Sequence, residues 1–120
     1  MSFINDEVYD QGLDYADTNG TRLEICSSEP ANYAAIAGVA LGNKTLNTGA
    51  TVAGATDGRR VIVPAITDGA VTATGTASHW ALHDGSSILV ATGALSTTQS
   101  VTNGNTFTLD AVSITIRDAS

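Results

Sequence analysis

Two histidines, one cysteine and a scatter of carboxylates are the side chains through which this chain could do chemistry. His79 and His83 stand four apart, a spacing that on a helix would present two imidazoles to zinc on one face. The intervening Trp-Ala-Leu supplies no glutamate, and on a strand the two rings would lie about 13 Å apart, so no metal site is expected. Gly38-Val39-Ala40-Leu41-Gly42-Asn43-Lys44-Thr45 has one residue too few between its glycines for a phosphate-binding loop, and Asn43 separates Gly42 from Lys44. Asp17-Thr18-Asn19-Gly20 is similar to part of a calcium loop, but Tyr15 stands where the first carboxylate belongs and Cys26 where the closing glutamate belongs. Cys26 itself falls in a strand-like alternation, which reads as a buried structural thiol and not a nucleophile. No Gly-x-Ser-x-Gly occurs. The acids gather in the first helix and in turns, not as the pair across a cleft that hydrolysis of a cell-wall polymer would need. The expectation is a chain that is not an enzyme and takes no cofactor.

Charge narrows the partners. The net charge is −7 and the pI about 4.3, which disfavours contact with nucleic acid through phosphates. Only 14% of residues are charged, so Thr, Ser, Asn, Gly and Ala must cover much of the surface. Such a surface suits subunit contacts, because few long side chains must be ordered on meeting. Arg59-Arg60 is the one concentrated positive charge; on a strand the two face opposite ways, leaving one exposed for an acidic neighbour. No apolar run approaches the ~20 residues of a membrane helix, and the first residues lack the basic-then-apolar order of a signal peptide. One cysteine makes no internal disulfide, so synthesis and assembly in a cytoplasm are expected.

The elements that would carry these residues follow from periodicity. At 120 residues the chain is one domain, able to fold without metal or disulfide staples. In residues 2–16, Phe3 or Ile4, Val8, Tyr9, Leu13 and Ala16 form an apolar stripe opposite Asp6, Glu7, Asp10 and Asp14. A helix over 1–18, closed by Asn19-Gly20, is therefore expected to pack across a β-sandwich formed by 21–120. Residues 21–27 alternate as a strand with Leu23 and Ile25 inward, and Pro30 stops it. Residues 31–56 show little periodicity: one helical turn at 33–36, a short strand at 39–41, then a long loop near 42–58 that is the first candidate for a partner-contacting arm. Residues 59–66 form a strand that Pro64 confines to an edge or bulge. Asp68-Gly69 is expected to turn it into a strand at 71–74.

Residues 74–118 read as four strands joined by glycine turns. Trp80 and Leu82 share one face, with His79, Ala81 and His83 on the other. Asp84-Gly85 makes a turn, 88–91 a strand buried on both faces that Gly93 ends, and 97–101 an edge or connecting segment. Asn103-Gly104-Asn105 is a strong hairpin signal, followed by strands at 106–109 and 112–116. The expected core is Trp80, Leu82, Leu89, Phe107, Leu109, Ile114 and Ile116. The fold class is mainly β: a small antiparallel β-sandwich of about seven or eight short strands with one N-terminal α-helix.

The chain also resembles a family of short virion structural proteins of tailed bacteriophages, usually encoded among head and tail genes. The matching stretches are Leu23-Glu24-Ile25-Cys26-Ser27 with Pro30 and Tyr33, Gly42-Asn43-Lys44, Gly58-Arg59-Arg60-Val61, and Ile66-Thr67-Asp68-Gly69. They continue through Gly75-Thr76-Ala77-Ser78-His79-Trp80-Ala81-Leu82, Ala91-Thr92-Gly93-Ala94-Leu95-Ser96 and Val101-Thr102-Asn103-Gly104-Asn105-Thr106-Phe107. A looser likeness links residues 80–116 with small β domains of phage fibres and head decorations. The resemblance implies a β-sandwich with an N-terminal helix and no enzymatic activity; taken with the low charge density, the acidic balance and the long small-residue loop, it leads to the expectation of a capsid decoration or cement protein, located in the virion and bridging subunits of the major capsid protein on the outside of the head. With that expectation goes assembly with copies of itself, a trimer foremost, while charge and the lack of a long apolar run leave neither nucleic acid nor membrane as partner. Candidate contacts with capsid or neighbouring subunit are Arg59, Arg60, Lys44, Asn47, Thr48, Phe3 and Ile4. The alternative is a tail or head fibre module binding host carbohydrate through Tyr9, Tyr15 or Tyr33.

Overall fold

Alternating apolar residues and frequent glycine turns produce a mainly β chain, as expected. The structure is a computed structural model that describes residues 6–46, 52–53 and 59–116, with side chains for 13–46 and 59–115. In chain order the elements are α1 (Asp6–Asn19), β1 (Arg22–Cys26), α2 (Tyr33–Val39), β2 (Ala40–Thr45), β3 (Val52–Ala53), β4 (Arg59–Val63) and β5 (Ile66–Val71). β6 (Gly75–His83), β7 (Leu89–Val101), β8 (Thr106–Leu109) and β9 (Val112–Ile116) follow. Six strands form one curled antiparallel sheet in the order β7-β6-β1-β2-β5-β8, and β3-β4-β9 form a second, smaller one, an arrangement consistent with a small β-sandwich.

α1 runs to Asn19, one residue past the expected end at 18, because local bonds close it there. Asn19 Nδ2 donates to the Tyr15 carbonyl at 3.1 Å, and the Gly20 N–H donates to that of Ala16 at 2.7 Å. Its buried Leu13 and Ala16 pack on Val61 of β4, with Val90 and Ile114 beside them. A second helix replaces the expected single turn at 33–36. Asn32 caps α2, its side-chain oxygen accepting the Ala35 N–H at 3.0 Å, and Ile36 is the residue the helix buries. The loop expected near 42–58 is shorter than that range. β2 continues through Thr45 paired to β1, and Val52 and Ala53 pair with Arg60 and Arg59. Asn47 and Thr48, like Phe3 and Ile4, lie outside the described residues.

The larger core fills the concave side of the curled sheet with Leu23, Ile25, Leu41, Ile66, Val71, Ala77, Trp80, Leu82, Val101, Phe107 and Leu109, joined by Val63. A register shift between Ala77 and His79 lets Ala77 and Trp80, three apart, share that interior. Ala81 and His83 are buried as well, so this part of β6 is covered on both faces. Leu89 and Ile114 are half-buried at the margin of the core, and the Ile116 side chain lies outside the described residues.

At three glycine positions the structure departs from what the sequence predicts. Asp68-Gly69 does not turn the chain but lies inside β5, where a Cβ on Gly69 would stand 2.2 Å from the Phe107 ring. The glycine is there for that close approach. Gly93 does not end a strand; β7 runs straight through it, and a Cβ there would meet the Trp80 indole at 2.6 Å. Asn103-Gly104-Asn105 does turn, but β7 pairs with β6 and β8 with β5, so it joins two non-neighbouring strands and is no hairpin. Among the described strands the chain crosses between the two sheets three times: between β2 and β3, at Pro64-Ala65 and at Asp110-Ala111.

Candidate functional site

β7 and β8 are the two ends of the six-stranded sheet, and its curl brings them face to face without main-chain pairing. One side chain clasps them. Gln99 of β7 donates through Nε2 to the Thr108 carbonyl of β8 at 3.0 Å and accepts the Thr108 N–H on Oε1 at 3.4 Å. Away from that clasp the seam widens into a groove of about 490 Å³ with Trp80, Leu95, Leu109 and Val112 as its apolar lining. Ser96, Thr97 and Gln99 add polar groups on the β7 side, and Asp110 is the one charged residue lining it. Trp80 retains 6% of its surface here, although it anchors the core.

A second hollow, of about 310 Å³, lies on the convex side between α2 and the β1–β6 pair. Strand register builds it: Arg22 stands opposite His83 and Glu24 opposite Ala81, so all three polar side chains share the face beneath α2. His83 Nε2 and Glu24 Oε2 are 3.0 Å apart, with only 5% and 12% of the two side chains exposed. The Gly85 N–H donates to His83 Nδ1 at 3.0 Å, so the ring proton is on Nε2 and is given to Glu24. Tyr33 meets the imidazole edge-on, centroids 5.4 Å apart. Both ring nitrogens are thus engaged by the protein, which leaves neither a lone pair nor a proton to offer a substrate. Arg22 Nε is buried without a hydrogen-bond partner among the described residues.

Other reactive groups are similarly committed. Cys26 is buried, and burial first, then the charge of Glu24, pushes its thiol up to about 11. Asp84, in the turn between β6 and β7, accepts the N–H groups of Ser86, Ser87 and Ile88 at 2.8, 2.8 and 3.0 Å. Those bonds, that of Ile88 foremost, hold its carboxyl down at about 2. No group of three or more His, Cys, Asp or Glu side chains gathers as a metal site among the described residues.

Of the contact residues singled out from the sequence, the three that are described, Lys44, Arg59 and Arg60, are divided between the two sheets. Lys44 forms an ion pair with Asp68 at 3.0 Å across β2 and β5. Arg59 and Arg60 start β4, where Arg60 Nη1 donates to Ser113 Oγ at 3.4 Å. Sequence reasoning missed the seam and the Glu24–His83 pair, because each joins residues far apart in the chain that only the strand order brings together. The one local signal for the seam is β7 itself, thirteen residues without a charge or a proline. No protein-family model, curated protein or solved structure matches the chain.

Proposed function

We propose that this chain is a non-enzymatic structural protein of a tailed-phage virion, a decoration or cement protein bound outside the head and bridging subunits of the major capsid protein. The observation that carries the reading is the ordered resemblance spread over most of the chain. Its motifs fall on β1, β2, β4, β5, β6 and β7 and on the turn before β8, the segments that hold a β fold together. The acidic balance of −7 and the low density of charge add support, since they favour protein contact over packaged nucleic acid. The engaged state of His83, Cys26 and Glu24 fits a protein without a reaction to perform. The test mixes purified protein with heads that lack it and measures the mass bound. Saturation at a fixed ratio per capsomer supports the reading, and protein that leaves such heads bare at every concentration ends it. The fibre alternative draws less support: Tyr33 is turned onto His83, and Tyr15, 47% exposed, is the aromatic left to meet a sugar among the described side chains.

A further inference from the structure

We infer that the seam between β7 and β8 is a docking slot for one extended peptide strand of a partner protein, with an apolar side chain over Trp80 and a basic residue at Asp110. The inference stands on the groove alone and holds whether or not the assembly is a phage head.

Strand pairing supplies the first reason. Ala77 pairs with Gln99 and His79 with Ala94, so Ser78 of β6 stands against residues 95–98 of β7 and the ladder skips those four. Leu95, Ser96 and Thr97 of that stretch form one wall of the groove, and they lie on the outermost strand of the sheet. Edge strands that must stay alone are usually blunted by charge, proline or a bulge; β7 carries no charge or proline, and its one bulged stretch on this side is the one that lines the groove. The opposite wall is the open edge of β8 and the crossing to β9, so the slot is flanked by strand edges on both sides.

The Gln99 clasp supplies the second. A carboxamide presenting one N–H and one C=O to the N–H and C=O of Thr108 reproduces what a residue of an adjacent strand would offer. At one end, therefore, the slot already satisfies an open strand edge in the way that an added strand would continue. Such addition takes its affinity from main-chain bonds and its selectivity from the pockets that receive alternate side chains. Here the pocket is apolar, lined by Trp80, Leu95, Leu109 and Val112. Asp110, on a chain of net charge −7, sets the sign of the partner's charge where the slot meets the crossing from β8 to β9.

The test uses capped synthetic peptides: Thr-Val-Thr-Val-Thr-Lys, the same peptide with proline at its second valine, and the same peptide ending in glutamate. Trp80, the only tryptophan, reports by its emission, and amide shifts of residues 95–98 and Thr108 report independently. The lysine peptide should bind saturably and perturb both probes, and proline should weaken it about tenfold through lost main-chain bonds. Asp110→Lys, at an exposed position, should reverse the preference so that the glutamate peptide binds more tightly. Absence of saturable change in either probe overturns the inference. So does equal response to the proline peptide, or an order of preference that Asp110→Lys leaves unchanged.

Discussion

At the scale of single residues, the buried polar groups make the sharpest predictions. Glu24 accepts the Nε2 proton of a neutral His83, so Glu24→Ala should cost about 1–3 kcal/mol by leaving that donor buried and unsatisfied. Glu24→Gln, which keeps an acceptor oxygen, should recover most of it; chemical denaturation of the two variants decides. The Cys26 thiol, with its pKa near 11 against 9.0 unperturbed, stays neutral where the unfolded chain begins to ionise. Its contribution to stability is therefore whole below pH 9 and falls as the pH rises from 9 towards 11. Labelling by a thiol reagent at pH 8 should proceed only as the chain opens, and denaturant should accelerate it by orders of magnitude. Asp84 has the opposite sign. Its carboxyl is held near 2 against an ordinary 3.8, so the turn it organises is supported above pH 3.8 and loses that support as the pH falls through 2. NMR titration should show the Ser86, Ser87 and Ile88 amides moving together with that low midpoint.

At the scale of elements, two strands are held in place by what they lack. β5 lies against β8 because Gly69 leaves room for the Phe107 ring, which is fully buried. Gly69→Ala should cost about 1–3 kcal/mol by overpacking, read as a lowered thermal midpoint. Combining it with Phe107→Leu should be less damaging than the sum of the two, since one space is shared. Gly93 plays the same part for β7 over Trp80. By contrast the Lys44–Asp68 pair, 37% and 69% exposed, joins β2 to β5 without holding them. Lys44→Ala should change stability by less than about 1 kcal/mol. Any loss of particle binding in that variant would then belong to the contact and not to folding.

At the scale of the whole molecule, the six-stranded sheet is a curl closed by one side chain. Gln99→Ala removes both bonds to Thr108 and should open the seam, speeding amide exchange at Thr108 and lowering the thermal midpoint by a few degrees. Gln99→Glu keeps the acceptor for the Thr108 N–H but sets a second acceptor oxygen against the Thr108 carbonyl, so it should open the seam at least as much as Gln99→Ala. The extents of 48 × 26 × 22 Å describe an elongated body, with α1 on the small sheet and α2 on the convex face of the large one.

What the sequence by itself determined is local. Period-two alternation announced β1, β6, β8 and β9, the stripe of Leu13 and Ala16 announced α1, and Trp80, Leu82, Phe107 and Leu109 announced themselves as buried by size and apolarity. What tertiary structure decided is everything that depends on which strand lies beside which. Asp68-Gly69 has turn chemistry, yet the Phe107 ring from β8 claims the space above it and keeps the chain extended. Asn103-Gly104-Asn105 has hairpin chemistry, yet its flanking strands pair elsewhere. Glu24 meets His83 across 59 positions, and Gln99 meets Thr108 across nine. A residue's own propensity acts over a few bonds, whereas a sheet's register is set by burying one face of every strand at once. The seam exists only after that register is chosen.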